Sequence, residues 1–342
     1  MVDTTHLAPA YRITLDGRDI TTALRPRLIS LTLAQDRGEK ADQLDLTLDD
    51  TDGQLQIPAT GVVIDLAIGW QGQALVPKGS YTVDEAEHTG APDQVTLRAR
   101  SADLRAGLRN RTEQSWHATT LGTIAHTVAG RNKLQLRMAP SLANVPVAHE
   151  DQTNESDISF ITRLAALHDA VATVKAGRLV LLPINASTSS AGQPLPTTTI
   201  TRSTGDQHRY HQADRDAYTG VRAYWHDPAH AKQRSVLVGQ SGSAKRLRES
   251  HATEADARAA AQAEWQRLQR GAATFELTLA QGLPTLDAQT PLAVQGFKPQ
   301  IDGANWLVSK VTHTISSSGF TTQLEAELQG SDSSAGQAQD EG

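Results

Sequence analysis

The residues in this chain that first invite a chemical reading are the imidazoles and carboxylate of His226-Asp227-Pro228-Ala229-His230, with His208 and His211 upstream. Histidine and aspartate are zinc-ligand types, and two histidines four apart on one helix face would converge on a metal. Here Pro228 interrupts the helix that would align them, and no Glu stands where a general base is needed. The spacing fits a solvated loop that holds histidines, and no metal is expected. Asp49-Asp50-Thr51-Asp52-Gly53 begins like a calcium loop, but no bidentate Glu follows at the required distance. Asx side chains bonding their own backbone, with Gly53 supplying a positive φ, make a strand-ending turn instead. Carboxylates two apart occur at Glu85 and Glu87, beside Asp84, and again at Glu325 and Glu327. On a strand that spacing means one face, either a hydrated surface or an acidic stripe along a channel. A Gly-x-Ser-x-Gly elbow, a phosphate-binding Gly-Lys-Ser/Thr loop and a dinucleotide fingerprint are missing, and the chain has no cysteine. The sequence predicts no catalytic residue and no cofactor: a protein that binds, not an enzyme.

Composition narrows the partners. At 342 residues the chain exceeds what one core usually covers, so two or three domains are expected. Apolar residues make up 38% and aromatic residues 4%, which favours packing by Leu, Val, Ile and Ala over a ligand pocket walled with rings. A formal charge of -6 offers no basic footprint for a phosphate backbone, so sequence-specific nucleic-acid binding is not expected. Nucleic acid passing nearby would slide and not adhere. No apolar stretch approaches the ~20 residues that span a bilayer. Met1-Val-Asp-Thr-Thr-His6 lacks a basic segment followed by an apolar run, so cytosolic synthesis without membrane insertion is the expectation.

The elements that must position these residues are strands, and one strand programme is written twice. Leu44–Leu48, Val63–Ile68, Gly79–Val83 and Val95–Ala99 recur in the same order as Phe275–Leu279, Leu292–Val294, Gly303–Val311 and Phe320–Leu328, with turns at Gly90 and Gly319. The predicted repeat core is Leu46, Leu48, Ile64, Leu66, Tyr81 and Val83 in the first copy, and Leu277, Leu279, Leu292, Val294, Trp306 and Val308 in the second. Tyr11, Ile13 and Leu15, then Ile29, Leu31 and Leu33, alternate with polar neighbours as further half-buried strands, and Asp16-Gly17 reads as a hairpin turn. After Arg100 the period becomes helical, with Leu104 and Leu108 four apart. Thr119 caps a helix carrying Leu121, Ile124, Ala125 and Val128, and a second helix over Glu155–Asp169 precedes a hairpin that turns at Ala176-Gly177. Ser187–Thr199 reads as an exposed connection. Beyond it come strands at Tyr218–Trp225 and Arg234–Val238, then a helix capped by Thr253 and ended by Gly271 as a C′ residue.

The fold class so read is mainly β with an α+β insert: two similar antiparallel, barrel-like β-modules, with a long helix before the main strands of the second. The expected domains are a first β-module at 1–105, an α+β insert at 106–186, a linker at 187–203, a second β-module at 204–330 containing strands 218–238 and helix 253–270, and a disordered tail at 331–342. A duplicated module makes two similar surfaces from one gene product, which suits a component of an assembly.

Particular runs also resemble a known family. Thr274–Leu279, Ile301-Asp302-Gly303, Trp306–Thr314 and Gly319–Leu324 look like the end of phage late control D proteins, the baseplate hub proteins of contractile tails. Ser115-Trp116, Thr120-Leu121-Gly122, Asp151–Asp157, Phe160–Ala165 and Ala172–Leu179 extend the resemblance, which covers the chain from about Tyr11 to Leu328. The family is similar to the N-terminal hub part of type VI secretion spike proteins. The resemblance implies a homotrimer with two tube modules per subunit, so that six related modules enclose a channel and join a sixfold inner tube to a threefold central spike. Implied partners are a separate spike protein, the tail tube protein or a tube initiator, baseplate wedge proteins and the tape measure protein. The implied location is the bacterial host cytoplasm during synthesis, then the assembled tail of a phage or a phage-tail-like bacteriocin. Two other readings compete. A tail-associated cell-wall hydrolase would use Asp or Glu. A glycan-binding tail-tip module would need aromatic platforms, of which only Tyr224 and Trp225 adjoin.

Overall fold

The computed structural model describes residues 8–38, 41–101, 108, 110–175, 177–184, 195–212, 218–228 and 230–330. The expected tail at 331–342, the helical step at Leu104, Ala176 and residues 187–194 of the 187–203 connection lie outside them.

The first module runs through β1 (Pro9–Leu15), β2 (Arg18–Asp19), a helical turn α1 (Thr21–Leu24), β3 (Leu28–Asp36), β4 (Gln43–Asp49), β5 (Val63–Trp70), β6 (Val76–Thr89) and β7 (Gln94–Ser101). Alternation at period two turns Leu31, Leu33, Leu44, Leu46, Val95, Leu97 and Ala99 inward, where all are buried. Asp16 (φ 46) and Gly17 (φ 81) both take left-handed backbone, the geometry a two-residue hairpin turn requires. In space the strands lie in the order β3-β4-β7-β6-β5-β1, each pair antiparallel. The sheet coils until its outermost strands share one core, with Ile13 from β1 and Leu31 and Leu33 from β3 packed alongside Tyr81 and Val83. Ile29 departs from the expected alternation and stands exposed, because an irregularity in the β3–β4 register between Leu28 and Ser30 turns it out.

An α+β unit follows: β8 (Arg111–Thr120), α2 (Leu121–Arg131), β9 (Gln135–Met138), a short α3 (Pro140–Ala143), β10 (Pro146–Ser156), α4 (Asp157–Leu167), β11 (Ala170–Lys175) and β12 (Arg178–Pro183). The Thr120 hydroxyl, one residue beyond the expected cap, accepts from Thr123 N and starts α2, while Ser156 accepts from Ser159 N and starts α4. Leu121, Ile124 and Val128 from α2 and Phe160, Ile161 and Leu164 from α4 fill one core with Leu179 and Leu181 of β12. Strands β8 and β10 form an exposed two-stranded ribbon. Their mostly polar sequences carry no alternation of apolar residues, which hides them from pattern reading.

The second module comprises β13 (Thr198–Thr201), β14 (Gly205–Gln212), β18 (Ala273–Leu279), β19 (Pro291–Gln295), a short α6 (Pro299–Asp302), β20 (Trp306–Ser316) and β21 (Gly319–Leu328). Between β14 and β18 the chain makes a separate layer: β15 (Gly220–Asp227), β16 (Lys232–Gly239), β17 (Ala244–His251) and the long α5 (Glu254–Arg270). Two expected boundaries are corrected here. The 187–203 linker contains β13, which pairs in parallel with β19 and buries Ile200 in the second core. The strands at 218–238 and the helix at 253–270 do not join the second module's sheet; β15 pairs only with β16 and β17, and Ala257 and Ala261 of α5 close a core of their own with Val221, Ala223 and Val236. Thr253 caps α5 by accepting from Asp256 N. Gly271 ends the helix at φ -74, not in the left-handed form of a C′ residue. Among the described residues no helix is long and apolar enough to cross a membrane.

Candidate assembly interface

The two modules correspond strand for strand. The second reads β14-β18-β21-β20-β19-β13 across its sheet, the same order as β3-β4-β7-β6-β5-β1. One difference is that β13 runs parallel to β19, whereas β1 runs antiparallel to β5. Even a defect is repeated: the β6–β7 register slips between Val83 and Glu85, and the β20–β21 register slips at the matching place, between Val308 and Lys310. Through these registers Leu46 corresponds to Leu277, Leu48 to Leu279, Ile64 to Leu292, Leu66 to Val294, Tyr81 to Trp306 and Val83 to Val308. All twelve residues are buried, six in the first core and six in the second.

The modules are fused edge to edge. Lys310–Ser316 of β20 pairs antiparallel with Asp36–Ser30 of β3, setting Lys310 opposite Asp36 and His313 opposite Leu33. One continuous ribbon, β14-β18-β21-β20-β3-β4-β7-β6, results. The 280–290 segment between β18 and β19 lies across this seam. Its Gly282 carbonyl accepts from Trp70 Nε1 at 3.0 Å, and its Leu286 carbonyl accepts from Lys78 Nζ at 3.2 Å. Burial holds the Lys78 ammonium below the ordinary lysine range, against the opposing pull of Asp287, whose carboxylate lies 2.9 Å away. His313, fully buried beside it, contacts the Leu286 carbonyl through Nε2 (3.2 Å) and the Thr322 hydroxyl through Nδ1 (2.9 Å). A carbonyl only accepts, so Nε2 carries the proton and Nδ1 accepts from Thr322. Burial, reinforced by the nearby Lys78 ammonium, pushes the His313 pKa down to about 3.

The other face of the ribbon is polar. Thr32, Thr47, Thr96, Thr278, Thr312 and Thr314 share it with charged side chains that largely pair across strands. Arg98 meets Glu85 and Glu87, Lys310 meets Glu325 at 3.1 Å, and Arg209 meets Glu276 at 3.5 Å. Asp84 pairs with Arg100 at 3.0 Å. The carboxylates singled out in the sequence are therefore cross-strand partners, and solvent screening keeps each exposed pair a weak contributor to stability. Glu327 differs: it meets Arg37 at 2.6 Å and Arg270 Nε at 2.9 Å, and Arg270 also holds Asp169 through its two terminal guanidinium nitrogens. Those four residues tie β21, the end of β3, helix α5 and the α+β unit together, and Lys175 to Asp42 (2.8 Å) adds a second tie. Above this junction a cleft of about 1020 Å³ separates α4 from α5. Charges on its walls are paired, Arg163 with Glu150 on the wall and Glu155 beyond it, and Glu264 with Arg267 on the wall and Lys245 beyond it.

The remaining sequence candidates do not come together. His208 and His211 lie on β14, while His226 is near the end of β15 and His230 lies in the connection to β16, where Asp227 takes His230 Nδ1 (2.8 Å) and Arg234 Nε (2.9 Å). Among the described residues no group of three or more His, Asp or Glu is placed to hold a metal. In the Asp49–Gly53 turn, Asp49 accepts from Thr51 N, Asp50 from Leu55 N and Asp52 from Arg27, with Gly53 at φ 63. A site that sequence reading missed is Asp157, buried at the start of α4, which accepts from Arg131, Asn132 and Gln152. Its only signal was its place in the Asp151–Asp157 run.

Comparison with known proteins agrees with this architecture. The profile of the family described as phage tail baseplate hub (GPD) matches residues 43–319. The "probable baseplate hub protein" of Escherichia phage 186 is 45% identical, with 96% of this chain and 95% of that protein covered. In fold the chain is similar to the 43 kDa tail protein of prophage MuSo2 from Shewanella oneidensis, with a TM-score of 0.69 at 16% identity over 93% of this chain and 98% of that one. It is also similar to an E. coli component of the type VI secretion system, itself described as structurally similar to the T4 bacteriophage tail proteins gp27 and gp5; the TM-score is 0.54 at 12% identity over 92% of this chain and 76% of that one.

Proposed function

Because the chain belongs to the phage tail baseplate hub family, we propose that three copies close into a ring of six modules that joins a sixfold tail tube to a threefold central spike around a channel. The observation that carries this reading is the seam: two modules of one strand order, already joined side by side through β20 and β3. A chain built this way is one third of a ring whose modules are near-equivalent in six places and identical in three. Such a ring can present a sixfold pattern to the tube at one end and a threefold pattern to the spike at the other.

The work is binding, with no catalytic step. The polar ribbon face, rich in threonine and paired charges, would line the channel, and its carboxylates would repel a phosphate backbone in transit. The α+β unit and the α5 layer, tied in through Arg270 and Lys175, would lie outside the ring and meet the baseplate wedges. Synthesis would take place in the host cytoplasm, followed by incorporation into the tail. Native mass spectrometry of the purified protein, alone and with its spike and tube proteins, tests the reading. Three hub chains per assembly are expected; a hub that stays monomeric in the spike complex, or assembles with a copy number other than three, overturns it.

A further inference from the structure

The ribbon ends in two edges for which the described residues supply no strand partner. One is Asp84–Thr89 of β6, beyond its pairing with β5; the other is the outer side of β14. The seam inside the chain indicates what such edges fit. β6 and β20 hold the same place in their modules, down to the shared bulge, and so do β3 and β14, since Leu33 faces Leu44 as Tyr210 faces the corresponding Phe275. What β20 does to β3 within the chain, β6 can therefore do to the β14 of a second copy.

We infer that subunits join by antiparallel pairing of β6 with the neighbour's β14, in the register that sets Glu87 opposite His211, Thr89 opposite Arg209 and Ala86 opposite Gln212. This register transfers the observed facing pairs Thr312 to Ala34, Thr314 to Thr32 and Val311 to Gln35 through the module correspondence. It rests on the hub reading and goes further by naming the residues that meet. Two independent features favour it. The β6 edge carries Asp84, Glu85 and Glu87, while β14 offers His211 opposite Glu87 and Arg209 opposite Thr89, so no like charges face each other in this register, as Asp36 faces Lys310 at the internal seam. The 50–62 loop, counterpart of the 280–290 segment that spans the seam, leaves Ile57 53% exposed, one of two large hydrophobic residues exposed among those described. In the proposed register that loop lies over the neighbour's second module, which covers Ile57.

The native chain lacks cysteine, so a double variant reports cleanly. Facing residues on antiparallel strands sit roughly 4.5–5.5 Å apart at Cα, within disulfide reach. The full-length protein carrying Glu87→Cys and His211→Cys should, on mild oxidation, run as covalent dimers and trimers on a non-reducing gel, as should Thr89→Cys with Arg209→Cys. Glu85→Cys with Arg209→Cys, four residues out of register, should not. A trimer by native mass that fails to link at both matched pairs, or links at the displaced pair, overturns this junction and leaves the hub reading standing. A protein that is monomeric before oxidation, in the presence of its spike, overturns both.

Discussion

His313 is where pH acts on the seam. Its imidazole is held neutral, with a folded pKa of about 3 against an ordinary value of about 6.5, so below about 6.5 the unfolded chain binds a proton that the folded one does not. Stability contributed here is intact above that value and declines as the pH falls from about 6.5 toward 3. Between pH 7 and pH 5 the loss should be about 2 kcal/mol. Urea midpoints of the wild type and of His313→Gln, compared at the two pH values, isolate it from the carboxylates, which titrate in both. The variant is expected to start about 1–2 kcal/mol lower at pH 7 through lost packing and hydrogen bonds and to decline less on acidification; parallel declines would remove His313 from the account. None of this was legible in the sequence. His313 shows there only as an inward position in an alternating strand, and its partners Leu286 and Lys78 come from a loop and from the other module. The exposed histidines near Asp227 drew notice because composition marks residue types, whereas burial decides which of them matter.

The seam element itself is the 280–290 segment, and its backbone runs too close to Phe320 to tolerate a side chain at Gly282. A Cβ there would lie 2.4 Å from the Phe320 ring, while the Gly282 carbonyl must still reach Trp70 Nε1. Gly282→Ala should cost about 1–3 kcal/mol, read as a lowered denaturation midpoint, and should weaken the hold between modules, read as faster proteolysis of the 280–290 segment. An unchanged midpoint would show that the segment is not clamped. Elements with a strong period were visible in the sequence: the repeat strands, α4 and α5 were placed within a few residues because alternation and caps mark them locally. Strands β8, β10 and β17 were not, since their polar residues carry no period. Nor was the independence of the β15–β17 layer, which depends on which sheet α5 covers, a question of tertiary packing that spacing does not encode.

At the scale of the whole molecule, the duplication was readable as sequence order, but the fusion of the two copies into one ribbon was not. A pairing between β3 and β20, some 280 residues apart in the chain, leaves no mark in either strand's own pattern. That fusion is what underlies the proposal that one chain is a third of a ring, with a strand edge left unpaired by the described residues at each end of its ribbon. The measurement that bears on this most directly is single-particle electron microscopy of the assembled hub viewed down its axis. Six lobes alternating in detail around an open centre, with threefold symmetry overall and the α+β units outside, is the result the account predicts. Averages showing the two modules at different distances from the axis, or a symmetry other than threefold, would contradict it.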